Sequence, residues 1–205
     1  GIIRLGLLRT LGVDYVPRLA AEYRKLHPEQ NIEFTFQTGV TFELLDKLKR
    51  REFDLVFSSK APEEYHFTSL PITEQGLVLI VPMDSPLASR QTIDLAEILD
   101  EPFIQFSHGS GLRYVVDELF QSIGAAPSTA YETQEDQVIA GMVAHGFGIA
   151  IVPYMEMLLR MSVKIIQISR PNPDRKFYLV TDPARTLSPA ANNFRDFVLS
   201  KSQFH

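Results

Sequence analysis

TQEDQVIAGMVAHGFGIAIVP, residues 133–153, is the stretch whose reading decides the fold. Val138, Ile139, Met142 and Val143 recur at helical spacing, so one face of a helix here is apolar. Thr133 and Gln134 stand at its start, where unpaired backbone N–H groups favour anions and polar ligands. Gly146 falls where a helix ends in a left-handed residue, which glycine adopts without a Cβ penalty. Residues 148–152, GIAIV, are apolar on both faces, as a parallel strand covered on both sides would be. Pro153 ends that strand because it has no N–H to donate. The stretch is half of a βαβ unit.

The same rhythm extends outward. Residues 2–8 form a short apolar strand, and Asp14 is placed to cap the following helix, with Pro17 tolerated in its first turn. Val16, Leu19, Ala20, Tyr23 and Leu26 give that helix a buried stripe, and His27-Pro28 ends it. Residues 32–36 alternate as a strand, Thr41 is placed to cap a helix carrying Phe42, Leu45 and Leu48, and residues 53–57 form the third strand. That order predicts a parallel sheet with right-handed crossovers. An apolar strand at 77–81 follows, and alternation begins again: a short helix at 93–99, a strand at 103–106, a helix at 111–123 and a strand at 128–131. After the 133–153 stretch come strands at 163–168 and 177–180, separated by RPNPD, and a closing helix at 190–199.

The fold class is therefore α/β, with two Rossmann-like lobes joined by two crossover strands near 77–82 and 176–181. Residues 1–79 with 181–205 make lobe I, and residues 80–180 make lobe II. A cleft between two lobes is a preferred place for a ligand.

Bulk properties narrow the function. The 205 residues are 45% hydrophobic and 22% charged, ordinary for a globular chain able to bury a core. A net charge of −5 argues against this chain itself gripping a phosphate backbone. With no cysteine, thiolate catalysis, disulfides and Cys-type zinc sites are excluded together. No apolar run is long enough for a membrane span, and Arg4 and Arg9 interrupt the first residues too early for a signal peptide. The chain opens on Gly1 rather than Met, which implies a fragment with an N-terminal partner.

Four segments in register resemble the effector-binding domain of LysR-type transcriptional regulators. They are LGLLRTLGVDYVPRLAAEYRKLHP (5–28), FDLVF (53–57), LPITEQGLVLIVPMDSPLA (70–88) and VAHGFGIAIVP (143–153). The resemblance covers the whole chain and implies a type 2 periplasmic-binding-protein-like fold. It implies a cytoplasmic regulator whose DNA-binding head is absent from this chain and whose DNA binding responds to a small-molecule effector. It implies no cofactor and no membrane contact. It also implies a homodimer or tetramer whose effector domains pair side by side and antiparallel, with Tyr23 and Phe34 at the surface or in the core.

The resemblance also implies where the effector lies. In lobe I it points to Thr10 in the loop after the first strand, Gly39 and Thr41 after the second, and Ser58 and Ser59 after the third. Thr38, Val40 and Thr41 remain alternatives for the residue that faces the cleft, and a capping role for Thr41 is compatible with ligand contact. Some relatives carry a cation near 58–59, where this chain has hydroxyls. In lobe II the glycine-rich turn FSHGSG (106–111) offers Ser107 and His108, with backbone N–H groups suited to an anion or carbonyl. Arg113 on the next helix offers charge or faces solvent. Gln134, Gly148 and Ile149 complete that wall, and Tyr154 lies towards its rim.

Catalytic readings fare worse. GSG at 109–111 lacks the spacing of a nucleophile elbow, and His108 beside Ser110 has no acidic orienter. His27, His66, His108, His145 and His205 show no metal-ligand spacing, and no phosphate-binding glycine motif occurs. The alternative to a regulator is a solute-binding receptor of a transport system with the same fold.

Overall fold

The computed structural model describes residues 1–204; His205, one of the histidines weighed above, lies outside the described residues. In chain order the strands are β1 (Ile2–Leu7), β2 (Glu33–Thr38), β3 (Leu55–Ser58), β4 (Thr68–Gln75), β5 (Leu77–Pro82), β6 (Thr92–Asp94), β7 (Pro102–Phe106), β8 (Ser128–Thr133), β9 (Ala150–Pro153), β10 (Val163–Arg170) and β11 (Arg175–Thr181). The α-helices are α1 (Arg9–Gly12), α2 (Tyr15–Leu26), α3 (Thr41–Lys49), α4 (Gly111–Gln121), α5 (Asp136–Ala144) and α6 (Pro189–Ser200). The chain divides into two compact units, Gly1–Glu74 with the segment from Lys176 onward, and Gln75–Arg175.

Unit 1 holds one sheet in the order β2-β1-β3-β11-β4. β1 runs parallel to β2 and β3, and β11 is antiparallel to β3. On one face α2 buries Val16, Leu19, Ala20 and Tyr23 beside Phe194 and Val198 of α6. A separate cluster gathers Leu44, Leu45 and Leu48 of α3 with Phe53, Val56 and Val180. Both faces of the central strands are therefore covered, which is why β1 and β3 read as nearly unbroken apolar runs.

In unit 2 β5 lies between β9 and β10, antiparallel to both, with β6 outside β10. The parallel pair β7-β8 joins this sheet through one bridge. There the Ile149 N–H donates to the Pro102 carbonyl at 2.9 Å, and the Ile104 N–H donates to the Ile149 carbonyl at 2.8 Å. One core packs Val116 and Phe120 of α4 and Ile139 and Val143 of α5 against the strands.

Several expectations are corrected. The chain does pass between the units twice, just before β5 and at the start of β11, and both strands are also ladder members, β5 inside unit 2's sheet and β11 inside unit 1's. The chain changes unit after Glu74 and after Arg175 rather than at 79–80 and 180–181, which leaves the last residue of β4 and the first residue of β11 in unit 2. Residues 93–99 form β6 and a single 3₁₀ turn instead of a helix. Asp94 accepts from the Ala96 N–H while Glu97 accepts from the Asp94 N–H, closing a capping box around that turn. The strand at 148–152 is antiparallel to β5, and among the described residues its one parallel neighbour is β7 at the bridge. As expected, Pro153 is the last residue of that strand: it pairs with Leu77, and the next N–H, of Tyr154, reaches the Gly76 carbonyl.

Candidate functional site

The C-terminal ends of parallel strands are where open α/β sheets collect ligands. In unit 1 three such ends lie side by side, because β1 pairs Leu7 with Thr38 of β2 and with Phe57 of β3. Thr10 follows β1 on the one-turn helix α1 and is exposed. Gly39 follows β2 with its N–H donating to the Leu7 carbonyl at 3.2 Å, which binds the second loop to the end of the first strand. Thr41 does not cap α3; Val40 holds that position and supplies no side-chain cap, while Thr41 is half-buried as the first helical residue. The N-terminal N–H groups of α3 thus have no hydroxyl cap.

Ser58 and Ser59 part company. Ser58 is fully buried and its hydroxyl donates to the Ser59 carbonyl at 2.8 Å, so that proton is already engaged within the loop. Ser59 is partly exposed one residue further on, beyond the last strand position. Exposed apolar side chains stand among these hydroxyls in the sequence: Val13 is 81% exposed and Phe42 57%.

In unit 2 β7 and β8 end together, with Phe106 opposite Thr133. Ser107 is partly exposed and His108 exposed in the turn after β7, and the Ser107 N–H donates to the Thr133 carbonyl at 2.9 Å. Gln134 is exposed just beyond β8 and so lies near that turn. It does not start the helix: α5 begins at Asp136, with Glu135 as its N-cap residue. The acidic Asp136 in the first turn already complements the helix dipole, which disfavours an anion there.

Gly148 and Ile149 are not part of this group. Both are buried beside Pro102 and Phe103, at the start of β7, whereas Ser107 follows its other end. Gly146 behaves as read: at φ 84° its N–H donates to Val143, and the Phe147 N–H donates to Met142, a Schellman motif that ends α5. The glycine segment is therefore a packing device. Tyr154 is 43% exposed.

Arg113 neither faces solvent nor stands ready for a charged ligand. Its side chain is 14% exposed; Nε donates to Asp117 Oδ2 at 3.0 Å, and Nη1 donates to the Phe106 carbonyl at 2.9 Å and to Glu132 Oε1 at 3.0 Å. Burial opposes its charge, but the hydrogen bonds to Glu132 and Asp117 outweigh it and hold its pKa above the ordinary value. Asp117 Oδ1 accepts from Gln105 Nε2 at 3.2 Å, and Gln105 Oε1 accepts from the Phe106 N–H at 3.0 Å. This network was missed in the sequence, although Arg113 and Asp117 stand at i, i+4 on one helix face.

Two surface hollows lie elsewhere. One of about 450 Å³ in unit 1 touches Thr181, Arg185, Asn192 and Arg195; Thr181 ends β11, which places it at the opposite end of the sheet from Thr10. One of about 280 Å³ in unit 2 lies against Pro82, Asp84, His145 and Gly146. Among the described residues no group of histidine, aspartate and glutamate side chains could hold a metal ion, and no helix is long and apolar enough to cross a membrane.

Comparison with known proteins gives this geometry its context. The profile of the LysR substrate binding domain matches residues 1–203. A relative, the uncharacterized HTH-type transcriptional regulator YybE of Bacillus subtilis (strain 168), is 35% identical over 98% of this chain and 68% of its own length. The effector-binding domain of QuiR in complex with shikimate is 36% identical, with a TM-score of 0.89 over 100% of this chain and 98% of that one. The Synechocystis PCC6803 CcmR regulatory domain in complex with 2-PG is 26% identical, with a TM-score of 0.84 over 100% of this chain and 98% of that one. These relatives are regulators, which selects the regulatory reading over the transport one. The chain belongs to the LysR substrate-binding-domain family and is the effector-binding domain of a LysR-type transcriptional regulator.

Proposed function

We propose that the effector is a small hydroxylated carboxylate of the shikimate type, held by Thr10, Gly39, Thr41 and Ser59 of unit 1 and by Ser107, His108 and Gln134 of unit 2. The observation that carries this reading is the gathering of these residues at the C-terminal ends of parallel strands within each unit. The charge distribution orients the ligand. The α3 N-terminus, without a side-chain cap, leaves backbone N–H donors for the carboxylate, with Glu43 in its first turn offsetting part of the dipole as Asp136 does in α5. In unit 2 Glu132, Glu135 and Asp136 follow one another where β8 passes into α5, and acceptors of that kind suit donating hydroxyls. Support for the class comes from the shikimate-bound QuiR domain, the more similar of the two ligand-bound structures compared.

The effector acts only through its differential affinity for the conformations available to the chain. In the full-length regulator that bias reaches the DNA-binding heads in a cytoplasmic multimer. Side-by-side antiparallel pairing is supported by two edge strands, β2 with Phe36 49% exposed and β8 with Tyr131 45% exposed. Tyr23 is core, at 2% exposure, and Phe34 packs against that core, so the surface role falls to Phe36.

The test is thermal denaturation with shikimate and a panel of hydroxy-carboxylates, on the parent chain and on T10W and S107W. At a hundredfold excess over Kd the ligand adds about 2.7 kcal/mol of stability, and each substitution should abolish that shift while the variants stay folded. An undiminished shift in both variants overturns the site; no shift with any member of the panel overturns the ligand class.

A further inference from the structure

We propose that Arg113 is the positioning residue of unit 2's effector wall: it fixes the Ser107–Ser110 turn and the exit of β8 as one rigid piece. The inference rests on the reading that this turn contacts the effector.

Phe106 is the last residue of β7, and both of its backbone polar groups are held by side chains. Gln105 Oε1 takes its N–H, and Arg113 Nη1 takes its carbonyl. The same Nη1 reaches Glu132 on β8, one residue before Thr133, whose carbonyl accepts the Ser107 N–H. Asp117 closes the circuit by accepting from both Arg113 and Gln105. One guanidinium thus joins the end of β7, the end of β8 and the first turns of α4.

The turn beyond has little else to hold it. Its internal backbone bond runs from the Ser110 N–H to the Ser107 carbonyl at 3.2 Å. A Cβ built on Gly109 or Gly111 would meet nothing within 4 Å, so packing does not define its path. Gln105 is 1% exposed and Arg113 14%, so the donor side of the network is shielded, while its acceptors Asp117 at 31% and Glu132 at 43% reach solvent. Lysine in place of Arg113 would present a point charge that cannot serve three acceptors in fixed directions.

The experiment compares the parent chain with R113Q, R113K and E132Q by amide hydrogen exchange and by calorimetric titration with shikimate. In R113Q, exchange at residues 106–112 and 133–134 should rise at least tenfold while the amides of β5 and β10 keep their rates. Shikimate affinity should fall at least tenfold, with R113K and E132Q intermediate. Unchanged exchange at 106–112 overturns the proposal, as does a uniform rise across unit 2, which would mark Arg113 as a general stabiliser. If the parent chain binds shikimate and R113Q binds it equally well, positioning is overturned. If the parent chain does not bind shikimate, the effector class fails, and the exchange pattern by itself decides the role of Arg113. Should R113Q not fold, R113K is read by the same two criteria.

Discussion

Gly148 lies so close to Pro102 that a Cβ on it would stand 2.6 Å from the Pro102 carbonyl oxygen, the acceptor of the Ile149 N–H. That carbonyl belongs to the bridge joining β7 to the rest of unit 2, so any side chain at 148 would push the Pro102 backbone away and strain that bridge.

G148A should therefore destabilise the chain by about 1–3 kcal/mol, the usual cost of overpacking a close-packed site. Urea denaturation should show a lower midpoint with an unchanged slope. Gly141 provides the opposite sign. It sits inside α5 with nothing within 4 Å of a Cβ, so G141A should gain about 0.5–1 kcal/mol from helix propensity. Equal effects from the two substitutions would contradict the packing argument.

Much of this was legible in the amino-acid order, and the failures have physical causes. Gly146 announced its Schellman turn because only a residue at ease with positive φ closes that motif. The apolar runs of β5 and β9 announced covered strands. β4 was invisible because it ends its sheet, alternates weakly, and contains Pro71. The helix expected at 93–99 failed because Asp94 and Glu97 cap each other within one turn. In the site, the loop hydroxyls were expected from the family resemblance, whereas burial separates Ser58 from Ser59 and strand direction separates Gly148 from Ser107. Neither distinction is written in residue type.

A second prediction concerns Asp54, which is 6% exposed at the start of β3. Its carboxylate accepts from the Arg4 backbone N–H at 2.8 Å and from Arg4 Nη2 at 3.1 Å, and it pairs with Arg185 Nη2 at 2.6 Å. Arg185 also donates to the Phe53 carbonyl, so it ties the segment after β11 to the start of β3. D54N keeps the shape but leaves the Arg185 side chain, 13% exposed, without its counter-charge. The expected loss is about 3 kcal/mol or more, since removing one member of a buried pair strands the other. A loss below about 1 kcal/mol in chemical denaturation would place this pair with exposed surface bridges instead.

The last prediction concerns alkaline pH and Tyr23. Burial, and after it the Glu29 carboxylate, pushes the Tyr23 phenol above its ordinary value of 10.0. Burial raises Tyr15 against a partial offset from Arg18, and Tyr65 is raised by its hydrogen bond to Asp46 and then by burial. A raised phenol pKa means that above pH 10 the unfolded chain releases protons that the folded chain retains. Stability is therefore intact below pH 10 and declines as pH rises beyond it. Tyr23 contributes in a second way. Its ring packs against Phe194, Phe197 and His27, while its hydroxyl is buried with no hydrogen-bond partner among the described residues. Y23F removes an unsatisfied polar atom while keeping the ring contacts, so it should raise stability at pH 7 by about 1 kcal/mol. It should also flatten the decline above pH 10, because one titrating phenol is gone. Denaturant midpoints at pH 7 and pH 10.5 test both effects, and a Y23F chain less stable than its parent at pH 7 would show that the hydroxyl is satisfied after all.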